Sequence, residues 1–353
     1  MSRDYVPIEM AEDMSKRGCL GLANLGNTCF MNAVLQAMRN NKEWTMFCVK
    51  DNINSHIQKE DTGHKKLLLA YVDLLKSIWN GTGPGYVQPA GFYNELKEVV
   101  RDTIYEDFAR RQPQDAHEFL VWLLDQMYMA TQSEVVINIK DEEQIEPMIR
   151  QALNGWKKAF EKQWSPLTDL VFGLYRIQYK CSACDTTHTR WETFNTLKYS
   201  LAMDEDGNPL PLIDALKEEF KEETIDEYAC DKCAPKRAPA TKNVRIWRLP
   251  KLLIITAKRF APNGSKIHNP VNLSHIEKFY DVFAKESHEP SKHIEYNLFA
   301  TVDHHGSHYG GHYTAQSKMI TTGEWAHFDD ESMAAIQGPS LGRSTYMTFW
   351  SQA

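Results

Sequence analysis

The stretch GLANLGNTCFMN, residues 21–32, surrounds one cysteine with two glycines and three asparagines. Glycine and asparagine favour a tight, irregular loop, whereas residues 30–38 contain good helix formers and no helix breaker. We therefore predict that Cys29 lies at or near a helix N-terminus, with Asn27 or Thr28 as the capping residue. The helix dipole would stabilise a thiolate there, and backbone N–H groups without helical partners would be available to an oxyanion. A lone cysteine can equally be a small buried hydrophobic residue, so a catalytic Cys29 requires a histidine elsewhere.

The composition is that of a folded protein with an acidic balance. With 353 residues, of which 42% are hydrophobic, the chain is long enough for two or three domains, or for one large domain with subregions. Its 40 basic and 47 acidic residues give a net charge of −7. This balance argues against nucleic-acid binding and suits a basic protein or peptide partner.

The sequence contains no secretory signal and no membrane-spanning run. Residues 1–16 mix charges without an apolar core, and the apolar residues 252–255 have the length of a buried strand. The seven cysteines are an odd number, and CxxC pairs account for four of them. These features fit a reducing compartment better than a disulfide framework. We therefore predict a soluble intracellular protein of the cytoplasm, the nucleus or both, without a membrane partner.

Two CxxC pairs, Cys181/Cys184 and Cys230/Cys233, are separated by 45 residues. Two such pairs are typical of a tetrahedral four-cysteine zinc site, which leaves no coordination position open and is therefore structural. The long separation requires a sheet or hairpin that returns the chain. A redox-active CxxC is the competing interpretation, which the presence of two pairs disfavours. We predict one structural Zn²⁺ and no catalytic metal.

The first part of the chain has helical periodicity. Apolar residues recur at helical spacing in residues 67–78 and again after Pro89. A further helix is predicted to follow the acidic residues 141–143 and to run to Phe160.

Polar residues cluster at the start of another predicted helix, near residue 113. Gln114, Asp115 and Glu118 lie there, with Pro113 in the first helical turn. Capping of the helix explains the carboxylates as well as a function does. We expect His117 at the surface.

From about Pro166 the pattern becomes strand-rich. Strands are predicted at residues 171–180, 249–255, 296–302, 313–316 and 346–350. Residues 303–312 contain three glycines and four histidines, and we predict a mobile loop. A metal site formed by His308 and His312 would need a helix, which the glycines disfavour.

A histidine and an aspartate near the C-terminus complete the set that a cysteine hydrolase needs. His312 would hold Cys29 as a thiolate, and a carboxylate would fix the imidazole tautomer. Folding the chain back around residues 321–324 lays Asp329 and Asp330 alongside the His312 strand. Because side chains alternate between the faces of a strand, Asp329 should lie beside His312. Its loss should therefore lower kcat/KM more than the loss of Asp330.

Together these motifs resemble the catalytic domain of the ubiquitin-specific proteases, the cysteine deubiquitinases. The matching segments occur in the family's order and span nearly the whole chain: residues 21–36, 112–120, 181–184, 230–233, 249–260 and 296–330. The resemblance implies an α+β, papain-like fold described as thumb, palm and fingers. A single catalytic domain, residues 1–353, would consist of a helical thumb at about 17–165 and a β-sheet palm with zinc-tipped fingers at about 166–353. The fingers would lie around residues 171–247.

The resemblance also implies the roles of individual residues. Cys29 would be the nucleophile, His312 the base and Asp329 the third member of the triad. Asp330 would be a supporting carboxylate, and Asn24 would contribute its side chain to the oxyanion hole. The positions that would bind the arginine-bearing C-terminal tail of ubiquitin are Gln114, Asp115, Glu118, Gly310 and Gly311, with loops at residues 261–268 and 307–311 covering the tail.

The implied reaction is hydrolysis of the isopeptide or peptide bond after the C-terminal glycine of ubiquitin, through a thioester on Cys29. Ubiquitin and ubiquitinated proteins would be the partners, with an activating protein as a further candidate. Pro113 and Phe30 stand where the family often has glutamine and tyrosine, and neither removes a group that the chemistry needs. Two alternatives stay open: a protease for another ubiquitin-like modifier, and a catalytically weak ubiquitin-binding scaffold. The chain starts and stops close to the edges of the domain, as expected of an excised catalytic core.

Overall fold

The computed structural model describes residues 17–49, 53–81, 85–274, 276–287, 295–307 and 310–353. Its α-helices are α1 (Cys29–Met38), α2 (Lys42–Val49), α3 (Ile53–His56), α4 (Gly63–Asn80), α5 (Ala90–Val100), α6 (Ala116–Thr131), α7 (Pro147–Phe160), α8 (Thr168–Val171) and α9 (Leu212–Glu219). Its strands are β1 (Gly21–Leu22), β2 (Tyr86–Val87), β3 (Gly173–Cys181), β4 (Thr187–Phe194), β5 (Leu197–Tyr199), β6 (Glu223–Tyr228), β7 (Ala238–Arg248), β8 (Leu252–Ala257), β9 (Tyr296–Ser307), β10 (Gly310–Lys318), β11 (Trp325–Asp329), β12 (Ser332–Ile336) and β13 (Thr345–Gln352). The predicted α+β fold is confirmed.

The chain divides into two compact units. The first comprises residues 1–131, 299–340 and 344–349, and the second comprises residues 132–298, 341–343 and 350–353. None of the helices in the described ranges combines the length and apolarity needed to cross a lipid bilayer.

Helix α1 is the centre of the first unit. All ten of its residues are buried, and it packs against α6 and β10. Phe30 lies with its ring centroid 5.4 Å from that of Phe119 and 5.9 Å from that of Phe108. Aromatic pairs at these distances bury large apolar areas, so the helix that begins with Cys29 is firmly anchored.

Helix α6 begins at Ala116, three residues after the position expected from Pro113. Oδ1 of Asp115 accepts the backbone N–H groups of His117 and Glu118 at 2.8 and 2.9 Å. Asp115 is therefore the capping residue of this helix. The expectation that His117 is at the surface is wrong, since His117 is only 8% exposed. Most residues of α6 are buried, and not only those along one face of the helix.

The strands of the first unit are hydrogen-bonded neighbours in the order β12-β11-β10-β9-β13. Ala315 of β10 lies opposite Phe328 of β11, so the predicted hairpin is present. The predicted length of the loop at residues 303–312 is wrong, because β9 continues to Ser307 and β10 begins at Gly310. His308, proposed above with His312 as an unfavoured metal pair, lies outside the described residues.

The second unit contains an antiparallel four-stranded sheet, in the order β4-β3-β7-β6. It also contains β5, which pairs with β8 in parallel. Helix α7 packs closely against β4, because a Cβ atom at Gly155 would come within 2.6 Å of the Trp191 side chain. The thumb, palm and finger boundaries given above stay proposals for this chain.

Candidate active site and metal centre

The loop before α1 is held by its own polar side chains. Oδ1 of Asn24 accepts the N–H groups of Gly26 and Thr28 at 2.9 and 3.2 Å, and Oγ1 of Thr28 accepts the N–H of Leu25 at 2.9 Å. Helix α1 then begins at Cys29, as predicted. Thr28 is the N-cap residue but makes no side-chain capping bond, because its hydroxyl serves the loop.

Cys29 lies at the start of α1, next to the strand that carries His312. Cys29 is only 7% exposed, and its helix α1 packs against β10, the strand that carries His312. Burial raises the pKa of the Cys29 thiol, and the negative charge of Asp330 raises it further, whereas backbone hydrogen bonds of Tyr313 and Phe30 lower it. The net shift is upward, so this thiol needs a nearby base to become a nucleophile.

His312 is oriented by the carboxylate that the alternation of the hairpin predicts. Its Nε2 lies 2.5 Å from Oδ1 of Asp329, and both side chains are half exposed, at 41% and 49%. An N–H donated from Nε2 to this carboxylate leaves Nδ1 as the ring nitrogen able to exchange a proton with a thiol.

Asp330 faces the Cys29 loop and has a different set of partners. Its Oδ2 accepts a hydrogen bond from Nδ2 of Asn24 at 2.7 Å, and its Oδ1 accepts one from Nδ2 of Asn32 at 2.8 Å. The backbone carbonyl of Asp330 also accepts the N–H of Leu22 at 2.7 Å. A side chain at Gly21 would come within 2.2 Å of the backbone at Glu331, so only glycine permits this close approach.

The geometry leaves Asn24 with one N–H for an oxyanion. An amide nitrogen carries two hydrogens, and in the described part of the chain Nδ2 of Asn24 uses one of them, toward Asp330. The backbone N–H of Asn24 is held by Oε1 of Glu331 at 2.7 Å. The amide is therefore fixed from two sides.

Asn32 was not predicted from the sequence as part of the site. It is 2% exposed, and its Nδ2 also contacts the carbonyls of Leu22 and Ala23 at 3.3 and 3.2 Å. Asparagine has a low helix propensity, because its side chain can hydrogen-bond to the backbone in non-helical conformations. A buried asparagine one turn after Cys29 was the signal that could have identified it.

Among the positions expected to bind a ubiquitin tail, Asp115 and Gly311 have local structural roles. Besides its capping bonds, Asp115 accepts the hydroxyl of Tyr346 through Oδ2 at 2.7 Å. Glu118 is exposed, and Gln114 is half-buried. A Cβ atom at Gly311 would come within 2.2 Å of the His304 ring, whereas a Cβ atom at Gly310 would have no heavy atom within 4 Å.

The two loops expected to cover that tail have different outcomes. Residues 308 and 309 lie outside the described residues. Residues 261–268 form a tight hairpin turn, with the N–H of Ile267 donated to the carbonyl of Arg259 at 2.7 Å.

A second cluster of side chains that could hold a metal lies in the second unit. The four Sγ atoms of Cys181, Cys184, Cys230 and Cys233 lie within 4.8 Å of one another. Cys181 and Cys233 are 3.9 Å apart, and Cys184 and Cys230 are 3.7 Å apart. Four sulfurs around a tetrahedral Zn²⁺ at about 2.3 Å are separated by about 3.8 Å, so the donor set fits that ion.

The protonation of this cluster is uneven. Hydrogen bonds with Thr186 lower the pKa of Cys184 to about 6. The hydrogen bond between Cys233 and Cys184 raises the pKa of Cys233 to about 12. A metal bound here would need all four thiolates and would therefore release protons on binding.

A thiol at a helix N-terminus, beside a strand whose imidazole is hydrogen-bonded to a carboxylate, is the arrangement found in cysteine hydrolases. Residues 20–350 match the sequence model of the family described as ubiquitin carboxyl-terminal hydrolase. The chain belongs to this family.

Similar proteins carry related names. Ubiquitin carboxyl-terminal hydrolase 2 of Bos taurus and of Homo sapiens are each 29% identical over 349 residues, which is 96% of this chain and 56% of theirs. The Gallus gallus protein of the same name is 28% identical over 96% of this chain and 94% of its own. The chain thus spans about 56% of the length of the mammalian relatives.

A solved structure shares the fold. The SAGA Ubp8/Sgf11/Sus1/Sgf73 DUB module bound to ubiquitin aldehyde aligns with a TM-score of 0.67 and 22% identity, covering 97% of this chain and 71% of that chain. At this identity the similarity establishes the fold alone.

Proposed function

We propose that this chain is a deubiquitinase that hydrolyses the isopeptide or peptide bond after the C-terminal glycine of ubiquitin. The observation that carries the proposal is the 2.5 Å contact between His312 and Asp329 on strands beside the buried Cys29. The family and the names of its relatives support the same substrate.

In the proposed reaction, Nδ1 of His312 takes the proton of Cys29, and Sγ attacks the carbonyl carbon of the terminal glycine. The backbone N–H of Cys29 and the remaining N–H of Asn24 stabilise the oxyanion. Collapse of the tetrahedral intermediate expels the lysine amine, which His312 protonates. Water activated by His312 then hydrolyses the thioester and frees the enzyme.

Ubiquitin recognition is assigned to the surface next to this site. Asp115, Glu118 and Gln114 would bind the basic tail, and Gly310 and Gly311 would let it pass close to the backbone. Charge-assisted hydrogen bonds between carboxylates and arginines suit this task.

The remaining assignments concern the metal, the partners and the compartment. A resident Zn²⁺ on the four cysteines would hold the two CxxC turns together, with no part in the chemistry. Ubiquitinated proteins are the proposed substrates, and an accessory protein is a further proposed partner, by analogy with the subunits of the Ubp8 module. A reducing, intracellular compartment suits a thiol nucleophile.

The experiment that tests the proposal is labelling with ubiquitin and with other ubiquitin-like proteins, each carrying a C-terminal electrophile. Ubiquitin alone should label the chain, and mass spectrometry should locate the adduct on Cys29. The Cys29→Ala variant should lose cleavage of a ubiquitin substrate and retain ubiquitin binding. Labelling by a different modifier, an adduct on Cys19 or Cys48, or turnover by Cys29→Ala would overturn the proposal.

A further inference from the structure

The first unit contains a groove that the proposed reaction does not use. It lies on α4 and α5 and has a volume of about 420 Å³. We define this α4–α5 groove by three buried apolar residues and three residues that surround them: Leu74, Pro89 and Phe92, with Asp73, Gly91 and Glu95.

The α4 wall of the groove is one straight stripe of the helix. The lining residues of α4 run from Lys66 to Ser77 at spacings of i, i+3, i+4, i+7, i+8 and i+11. Such a stripe extends over three turns, or about 16 Å. Leu69, on this stripe, is 37% exposed. The length and shape of the stripe match a further helix laid along it.

Gly91 opens the wall of the groove that α5 provides. Its backbone is not in the left-handed region, and a Cβ built at Gly91 would have no heavy atom within 4 Å. Neither the packing nor the conformation of the described chain therefore requires glycine, which weakens a helix relative to alanine. The open space lets the backbone of a bound helix approach closely.

The charges around the α4–α5 groove favour a basic ligand. Lys66 is paired with Asp61 at 3.2 Å. Among the described residues, no basic side chain lies within ion-pair distance of Asp73 or Glu95. The two carboxylates, one on each helix, are thus available to cations of a ligand.

We propose that the α4–α5 groove binds an amphipathic helix of a partner protein, whose apolar stripe is flanked by lysine or arginine. The apolar stripe would cover Leu69, Ala70 and Val87, the apolar lining residues that are exposed or half-buried. The basic residues would pair with Asp73 and Glu95, and the helix backbone would pass over Gly91.

The test uses a fluorescein-labelled twelve-residue synthetic helix with leucines at i, i+3, i+4 and i+7 and arginines beside them. Its control has glutamates in place of the arginines. In anisotropy titrations with the full chain, the arginine peptide should bind and the glutamate peptide should bind at least about tenfold more weakly. Higher salt should weaken the arginine peptide's binding.

Matched variants locate the binding. Gly91→Leu fills the groove where space is open, so the chain should fold and the affinity should fall at least about tenfold, whereas Gly91→Ala should change it less than about twofold. Asp73→Asn with Glu95→Gln should lower affinity about fivefold, and Glu98→Gln, outside the groove, should not. Circular dichroism and cleavage of a ubiquitin substrate check that each variant is folded.

Four outcomes would overturn the proposal. The first is no binding of the arginine peptide to the wild-type chain, and the second is equal binding of both peptides. The third is binding that Gly91→Leu leaves unchanged. A concentration-dependent dimer that Gly91→Leu abolishes would also overturn it, because a second copy would then be the occupant.

Discussion

Asp329 and Asp330 are adjacent in the sequence, yet their carboxylates have different hydrogen-bond partners. Asp329 ends β11 and contacts the imidazole of His312. Asp330 follows with a φ of 46°, which turns its carboxylate toward Asn24 and Asn32. Aspartate tolerates this left-handed conformation better than most residues.

Asp329→Ala should lower kcat/KM by about a thousandfold, because His312 loses the partner that selects its tautomer. Asp330→Ala should lower it by about tenfold, because Asn24 stays near the oxyanion but loses an anchor. Steady-state kinetics with a ubiquitin substrate give both values, and urea denaturation shows whether the variants are equally stable. The reverse ranking at equal stability would mean that Asp330 has the orienting role.

The burial of Cys29 predicts a specific pH dependence. Burial raises the pKa of the thiol, so a thiol without its base keeps its proton to higher pH. In His312→Ala, alkylation of Cys29 by iodoacetamide should therefore need a more alkaline pH than alkylation of an ordinary, exposed cysteine thiol. The wild-type chain should react near neutral pH, because the imidazolium stabilises the thiolate. Mass spectrometry follows Cys29 separately, and equal profiles for both proteins would contradict the prediction.

At the scale of the element, α1 positions the nucleophile through a buried polar residue. Asn32→Ala removes the side-chain amide that donates to Asp330 and to two backbone carbonyls. The three acceptor oxygens then lose this hydrogen-bond donor. The free energy of unfolding should fall by about 2 kcal/mol, as measured by urea denaturation. Asn94→Ala, at an exposed position of α5, should change it by less than about 0.5 kcal/mol. A loss no larger than that of Asn94→Ala would show that the network contributes nothing to stability.

Asp115, at the start of α6, caps the helix and is also proposed to bind the ubiquitin tail, and two substitutions distinguish these roles. Asp115→Asn keeps an oxygen for the N-cap, and its amide group can donate to the Tyr346 oxygen in place of accepting from it. The variant removes the charge, so stability should change little while KM for a ubiquitin substrate rises about tenfold. Asp115→Ala should in addition lower the free energy of unfolding by about 1 kcal/mol. An unchanged KM in Asp115→Asn would mean that Asp115 is a helix cap only. Glu118→Gln, measured in parallel, reports on the charge at a residue whose side chain is exposed.

At the scale of the whole molecule, the four cysteines predict a strong dependence on metal. Purified protein should contain one zinc per chain, because structural zinc sites supply on the order of 10 kcal/mol of folding free energy. After chelation, hydrogen exchange should accelerate across the sheet of β3, β4, β6 and β7. Changing Cys230 to Ser should have the same effect. Full protection in protein with less than half an equivalent of zinc would contradict the prediction.

Local patterns predicted the features that depend on neighbouring residues in the sequence. The helical start at Cys29 and the alternation that places Asp329 beside His312 are of this kind, because backbone conformation and the faces of a strand follow from local residue types. The two errors have different causes: burial for the surface position of His117, and strand pairing for the wide loop at residues 303–312. Packing around α6 covers His117, and a glycine at residue 311 lets β10 pair beside the His304 ring.

The sequence by itself indicated the candidate nucleophile Cys29, its candidate base His312 and the four-cysteine set, since residue type and spacing carry that information, and its resemblance to a known family implied the α+β class. Only the tertiary structure decided that Asp330 holds Asn24 and Asn32, residues about 300 positions away in the chain. The tertiary structure also decided that Asp115 caps α6 and accepts Tyr346. These pairings arise because folding takes polar groups out of water, and each buried donor or acceptor must then find a partner wherever the packed chain brings one.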